Sequence, residues 1–169
     1  MTTVGFIGSG SIGSAIARLA VAAGHQVMLS NSRGPETLAD TVAELGPRAS
    51  AATREEAAAA REIVVVTVPV TAFPDVPAGP LAGKTVIDTC TYGPDRDRHI
   101  PERDGTSLTS SELLLLLRYV PDAMLVKAFN TIFFKHLLSL ARPAGAADRS
   151  YLLVLRVICL RAQAREVEE

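Results

Sequence analysis

Apolar runs of strand length alternate with segments of helical periodicity along the chain. Val4–Ile7 is the first apolar run, and a stripe of apolar residues at helical spacing follows it between positions 11 and 23. Val27–Ser30 is the second run, and the Pro35 beyond it suits the first position of a helix that ends at Gly46. The first part of the chain therefore predicts strand, helix, strand, helix.

Further segments extend this alternation. Thr53 and Glu56 have the spacing of a capping box and predict an alanine-rich helix that reaches Arg61. The same spacing at Thr109 and Glu112 predicts the start of a leucine-rich helix. Four more strands are predicted, at Arg48–Ala52, Ile63–Val68, Thr85–Thr89 and Met124–Phe129.

The main apolar runs contain no regular alternation with polar residues. Strands buried on both faces of a parallel sheet have this pattern, because helices cover both faces. The predicted fold class is therefore α/β, with a doubly wound parallel sheet and helices on both faces.

A glycine-rich loop, G-S-G-S-I-G, joins the first predicted strand to the first helix. Gly8 allows a tight turn, Gly10 lets a pyrophosphate approach the backbone, and Gly13 lets helix and strand pack closely. The helix N-terminus then points at the phosphates. The context predicts a Rossmann-like dinucleotide-binding site, and a glycine-rich turn without a ligand is the alternative.

The end of the second strand carries the segment S-N-S-R, from Ser30 to Arg33. NAD sites place an acid here that binds the ribose hydroxyls and repels a 2′-phosphate, and this segment contains none. The hydroxyls of Ser30 and Ser32, the Asn31 amide and the Arg33 guanidinium are all suited to phosphate. The segment therefore favours NADP over NAD, and a polar turn before Pro35 is the alternative.

The carboxyl ends of the later strands are the other place to look for a ligand. Pro69 has no backbone donor and suits a chain that passes under a dinucleotide. Asn130 has an amide that suits a carboxamide or a second substrate. Ordinary turn chemistry is an equal alternative for both residues. The two cysteines lack the spacing of metal ligands, so no metal site is predicted.

Composition and charge exclude several classes of protein. The chain has 169 residues, of which 48% are hydrophobic and 21% charged, as expected for one globular domain. A formal net charge of -1 with scattered basic residues argues against nucleic acid as a partner. Its apolar stretches are far shorter than the roughly 20 residues of a membrane span. Without a recognisable secretory signal, we expect a cytoplasmic protein.

The secondary structure of the C-terminal segment is harder to predict. Residues 151–160 fit either a seventh strand or a helix, because the apolar run has no clear period. So apolar a segment is expected to join the sheet or to pack against another subunit. The expected partners are therefore a second copy of the chain, in a homodimer, and a small-molecule hydride acceptor or donor.

Several motifs together resemble a known family. Four segments are similar to those of NADP-dependent oxidoreductases that use coenzyme F-420, a deazaflavin. In chain order they are G-F-I-G-S-G-S-I-G-S-A-I-A, S-N-S-R-G-P-E-T-L, V-P and V-K-A-F-N-T-I. The resemblance implies a dinucleotide-binding fold, NADP(H) as cofactor and hydride transfer between NADPH and the deazaflavin. It covers residues 1–148, which are predicted to form the NADP-binding Rossmann domain.

The resemblance also implies roles for individual residues. Ser9, Gly10, Ser11 and Ile12 would hold the pyrophosphate. Val68 and Pro69 would line the cofactor, and Asn130 and Thr131 would lie near the nicotinamide and its partner ring. The 2′-phosphate would be bound by Asn31, Ser32 and Arg33.

The chain departs from the family in two places. Thr91 stands where the relatives are expected to have an asparagine, which makes it a third candidate on the substrate side. Residues 149–169 form a short C-terminal segment that no longer resembles the family. Two other functions therefore remain open: an NADPH-dependent reductase of imines or carbonyl compounds, and a non-catalytic NADP-binding protein.

Overall fold

A computed structural model describes residues 1–60, 63–97, 115–142, 146–147 and 155–156. Its strands are β1 (Thr3–Ile7), β2 (Gln26–Ser30), β3 (Ala49–Ala51), β4 (Ile63–Val66), β5 (Thr85–Asp88), β6 (Met124–Lys127) and β7 (Leu155–Arg156). The α-helices are α1 (Ser11–Ala22), α2 (Ala39–Leu45), α3 (Arg54–Ala59), α4 (Ala78–Leu81), α5 (Pro94–Asp97), α6 (residues 115–119) and α7 (Phe134–Ser139). Two 3-10 helices span Pro35–Leu38 and Val70–Asp75.

All of these strands belong to one sheet, in the order β3-β2-β1-β4-β5-β6-β7. β1 to β6 pair in parallel, and β7 pairs antiparallel with β6. The chain runs outward from β1 to one edge, then crosses back and starts again beside β1 with β4. This is the predicted doubly wound α/β sheet, with its switch point between β1 and β4.

Two hydrophobic cores lie on opposite faces of the sheet. Because successive strand residues point to opposite faces, Val64 and Val66 of β4 contribute to one core and Val65 to the other. Residues of α3, α4 and α6 complete the first core, and residues of α1, α2 and α7 complete the second. Helices on both faces explain why the strand sequences are apolar without alternation.

Local signals in the sequence were accurate at the start of α3 and at the end of α2. The Thr53 hydroxyl accepts a hydrogen bond from the Glu56 N–H at 3.1 Å, and the Glu56 carboxylate accepts one from the Thr53 N–H at 2.8 Å. The bond from the Thr53 backbone lowers the pKa of Glu56 below its usual value. Gly46 follows α2 with a φ of 82°, as predicted for a glycine that ends a helix.

The predicted ends of several elements were wrong. β4, β5 and β6 end at Val66, Asp88 and Lys127, before the ends of the apolar runs that predicted them. The sequence stays apolar beyond each strand because the residues that follow the strand still pack against the core. β3 is also shorter than predicted at both ends.

Helix α3 ends at Ala59 and does not reach Arg61. Ala60 has extended backbone angles, and the Lys84 ammonium donates to the carbonyls of Ala58 and Ala60 at 2.8 and 2.5 Å. The predicted capping box at Thr109 lies outside the described residues. Of the C-terminal segment, only residues 155–156 are described, and they form β7.

Glycines at the start of the chain allow the backbone of neighbouring elements to approach β1. A Cβ atom at Gly5 would collide with the carbonyl oxygen of Ala57 in α3. A Cβ atom at Gly8 would collide with the carbonyl oxygen of Thr67, where the chain leaves β4. Gly8 also has a φ of 105°, in the region that favours glycine. α3 and the chain that leaves β4 can therefore approach β1 and the glycine loop this closely only because these side chains are absent.

A buried ion pair joins β5 to β6. The Lys127 ammonium lies 2.9 Å from the Asp88 carboxylate, and the two side chains are 1% and 0% exposed. The ammonium also donates to the Cys90 carbonyl, and Asp88 accepts from the Cys90 N–H at 2.8 Å. These contacts fix the segment that follows β5.

We expect Gly5→Ala to lower the free energy of unfolding by about 3 kcal/mol or more, because a backbone carbonyl has no rotamer with which to avoid the new methyl group. Gly79→Ala is the matched control, since a Cβ atom at Gly79 in α4 meets nothing within 4 Å. That change should be neutral or stabilising by up to about 1 kcal/mol. Urea unfolding measures both, and equal stabilities would contradict the close packing at β1.

Lys127→Met should lower the free energy of unfolding by about 3–5 kcal/mol, because it leaves the Asp88 charge buried without its cation. Adding Asp88→Asn to this variant should restore part of the loss. Lys135→Met on the exposed side of α7 is the control and should cost less than about 1 kcal/mol. Chemical unfolding curves that are the same for Lys127→Met and the control would show that the ion pair is not structural.

Candidate functional site

Two adjoining depressions lie at the carboxyl edge of the sheet. The large cleft has a volume of about 460 Å³ and reaches from the glycine loop to the ends of β5 and β6. The small groove has a volume of about 290 Å³ and lies beside the end of β2. Both are lined by Gly10, Thr67, Val68 and Pro69. A ligand that passes over these four residues can therefore occupy both depressions.

The glycine loop forms one wall of the large cleft. Gly10 has open space where a Cβ atom would be, whereas a Cβ atom at Gly13 would lie 2.6 Å from the Gly8 carbonyl oxygen. Ser11 and Ile12 also line the cleft, and the Ser9 carbonyl accepts from the Ser14 hydroxyl at 2.9 Å. The N-terminus of α1 has no side-chain cap. These features fit a pyrophosphate held by backbone N–H groups.

The turn after β2 is organised by Asn31. Its side-chain oxygen accepts from the N–H groups of Arg33 and Gly34 at 2.9 and 3.0 Å, and its amide nitrogen donates to Thr37 at 2.8 Å. Asn31 and Ser32 line the small groove. Arg33 is exposed and does not line it. The phosphate-binding role of these three residues stays a prediction.

Ser30 was wrongly considered as a phosphate ligand. Its side chain is fully buried, and its hydroxyl donates to the Phe6 carbonyl at 2.7 Å. The bond joins β2 to β1, so Ser30 has a structural role.

The shared wall of the two depressions is the segment that follows β4. Val68 and Pro69 line both, and the 3-10 helix Val70–Asp75 begins directly after them. The structure therefore places the predicted cofactor-lining pair between the glycine loop and the ends of the later strands.

The substrate-side candidates are only partly brought together. Thr91 and Asn130 line the large cleft, whereas Thr131 is exposed and does not. Phe129 has a φ of 64°, which is uncommon for a residue with a side chain. This left-handed residue turns the chain at the end of β6, where Asn130 meets the cleft.

Two charged residues of the site were not found from the sequence. Arg96 lines the large cleft, and its side chain is 55% exposed. It donates to the Asp97 carboxylate at 2.6 Å through Nη2 and at 3.2 Å through Nε, and Nη2 also donates to the Thr91 carbonyl. The segment P-D-R-D reads as an ordinary polar loop, so only the fold shows that Arg96 is held against the cleft.

Asp97 connects three parts of the site. Its side chain is fully buried, and its oxygens accept from the N–H groups of Val70 at 3.1 Å and Gly93 at 2.8 Å. Burial raises the pKa of Asp97, but the bonds from Arg96 and the two backbone N–H groups outweigh it, so the pKa is lowered on balance. An ionised carboxylate therefore ties the wall after β4 to the Arg96 side chain.

Cys90 also lines the large cleft but is not suited to act as a nucleophile. Burial and the charge of Asp88 raise the pKa of its thiol well above the usual value. A protonated, buried thiol is unreactive.

Within the described ranges, no cluster of histidine, cysteine and acidic side chains is arranged to hold a metal ion. No helix within those ranges combines the length and apolar character needed to span a bilayer.

Comparison with solved structures finds the same fold in several proteins. A hypothetical protein of Sinorhizobium meliloti is 30% identical with a TM-score of 0.68, over 81% of this chain and 65% of that protein. A candidate F-420-dependent NADP reductase of Arthrobacter sp. FB24 is 22% identical with a TM-score of 0.69, over 99% of this chain and 77% of its own. The chain thus spans slightly less than two thirds of the Sinorhizobium protein.

More distant structures share the fold alone. One is a reductive aminase of Aspergillus terreus, 20% identical with a TM-score of 0.54, which covers 80% of this chain and 44% of its own. No curated protein matches the sequence.

A family comparison identifies the N-terminal part of the chain. The family described as "NADP oxidoreductase coenzyme F420-dependent" matches residues 3–92, which are more than half of the 169 residues. The match covers the glycine loop, the turn after β2 and the shared wall of the two depressions. The chain therefore belongs to the family of coenzyme F-420-dependent NADP oxidoreductases, whose cofactor is NADP(H).

Proposed function

We propose that this protein transfers hydride between NADP(H) and a deazaflavin of the coenzyme F-420 type. The observation that carries the proposal is the continuity of the large cleft, which extends from the pyrophosphate-binding Gly10 to Asn130 at the end of β6. A dinucleotide anchored at the glycine loop places its nicotinamide in this cleft, beside space for a second ring. The Arthrobacter structure bears a name that also pairs F-420 with NADP.

The side chains of the cleft suit a reaction without protein acid-base chemistry. Among the described lining residues, the titratable groups are the buried Cys90 thiol and the Arg96 guanidinium. Neither exchanges a proton readily at neutral pH. Hydride transfer between two stacked rings needs alignment and exclusion of water, because the cofactors supply the reactivity.

The proposed reaction balances without a proton from an acidic side chain of the protein. When bound, NADPH would supply the hydride, and the deazaflavin would take up that hydride together with one proton from water. The chain's contribution is to hold the two rings. Val68 and Pro69 supply the wall under the cofactor, and Asn130 supplies an amide at the second ring.

The charge of Arg96 supports an acceptor with an electron-rich edge. Asp97 and the Thr91 carbonyl fix one side of the guanidinium, while the half-exposed side chain faces the cleft. The pyrimidine edge of a deazaflavin carries carbonyl oxygens and gains electron density on reduction, so a fixed cation favours it. A neutral imine makes less use of this charge.

Turnover with different acceptors separates this proposal from its alternatives. NADPH with coenzyme F-420 should cause loss of the deazaflavin absorbance, and NADH should be a poorer donor. Reduction of a cyclic imine without reduction of the deazaflavin would favour an imine reductase, the activity in the names of two other proteins with this fold, from Streptomyces aurantiacus and Bacillus cereus. NADPH binding without reduction of any acceptor would favour the non-catalytic alternative.

Asn130→Ala should lower kcat for deazaflavin reduction about tenfold, which corresponds to about 1.4 kcal/mol of activation free energy. The affinity for NADPH, measured by calorimetry, should change less than about threefold because the phosphate contacts are elsewhere. Gln26→Ala is the control, since this exposed amide lies at the amino end of β2. Unchanged turnover in Asn130→Ala would remove the residue from the proposed ring site.

A further inference from the structure

We propose that Arg54 is a specificity-determining residue that binds the 2′-phosphate of NADP(H), beside the turn after β2. The inference deepens the proposed function, because it rests on NADP(H) occupying the small groove. No motif in the sequence indicates this role, since Arg54 lies in the segment T-R-E-E that predicts only the start of a helix.

The fold brings Arg54 to the adenosine side of the site. β3 pairs with β2 through Leu29 and Ala51, so the residues after both strands lie at the same edge of the sheet. The capping box at Thr53 fixes the start of α3 there, and Arg54 is the first residue of the helix. Its side chain therefore lines the small groove together with Asn31 and Ser32.

An acid on the far side of the groove holds the guanidinium. The Arg54 Nη1 lies 3.6 Å from the Asp75 carboxylate and 3.3 Å from the Asp75 carbonyl oxygen. The Arg54 side chain is 34% exposed and that of Asp75 is 66% exposed. Arg54 thus bridges the groove from α3 to the 3-10 helix after β4. Because its contact with the Asp75 carboxylate is long, a phosphate can replace that carboxylate as the partner of the guanidinium.

The charges of the groove indicate what it binds. Among the described residues that line it, Arg54 and Asp75 are the charged ones, and Arg33 is not part of the lining. An acid at this place would repel a phosphate dianion unless a cation offset it. Arg54 supplies that cation, and the Ser32 hydroxyl supplies a donor next to it.

The test uses two pairs of ligands that differ in the 2′-phosphate. Calorimetry with Arg54→Ala should show about tenfold weaker binding of adenosine 2′,5′-bisphosphate and of NADPH. Binding of 5′-AMP and of NADH should change less than about twofold, because neither has the 2′-phosphate. Arg54→Lys should recover part of the lost affinity, and Asp75→Asn should tighten the bisphosphate.

Two further variants serve as references. Arg48→Ala removes an exposed arginine beside the amino end of β3 and should leave all four affinities unchanged. Arg33→Ala measures the contribution of the arginine that the sequence motif indicates. If Arg54→Ala weakens 5′-AMP and the bisphosphate equally, Arg54 contacts adenine and the inference is wrong. It is also wrong if neither affinity changes.

The outcomes also separate this inference from the proposed acceptor. Failure of the unaltered protein to bind adenosine 2′,5′-bisphosphate would overturn the inference. Bisphosphate binding that depends on Arg54, without reduction of coenzyme F-420, would support the inference and overturn only the deazaflavin proposal.

Discussion

The site depends on direct backbone contact at β1. Gly5 and Gly8 have no side chain where α3 and the end of β4 approach, and any larger residue would collide with a carbonyl oxygen. The contact at Gly8 brings Thr67, the residue after β4, against the glycine loop. The wall formed by Val68 and Pro69 can therefore separate the two depressions while lining both.

Features encoded by neighbouring residues were predicted well from the sequence. The glycine loop, the capping box at Thr53 and the six predicted strands depend on local spacing, and the structure has all of them. The ends of strands were predicted less well, because an apolar residue such as Val68 covers the core whether or not it belongs to the hydrogen-bonded ladder. Periodicity reports burial and not pairing.

The charged residues were missed for a different reason. Asp97 binds backbone N–H groups, and Lys127 binds a carboxylate 39 positions away. No local sequence pattern therefore indicates the role of either residue. Arg54 lines the small groove only because β3 pairs with β2. Conversely, the sequence indicated Ser30 as a ligand-binding residue, but its hydroxyl joins β2 to β1. The sequence thus predicted which edge of the sheet carries the two depressions, but not all of the charges there.

The Asp97 carboxylate has a consequence for cooperativity between ligands. It holds Val70, next to the wall shared by both depressions, and at the same time orients Arg96 in the large cleft. If the proposed dinucleotide orders this wall, it would also order the surface that faces the proposed second ring, and binding of that ring would then lose less conformational entropy. Thermodynamic linkage makes the effect reciprocal: each ligand strengthens the binding of the other by the same factor. On the proposed function, this one buried carboxylate would therefore favour the ternary complex over either binary complex.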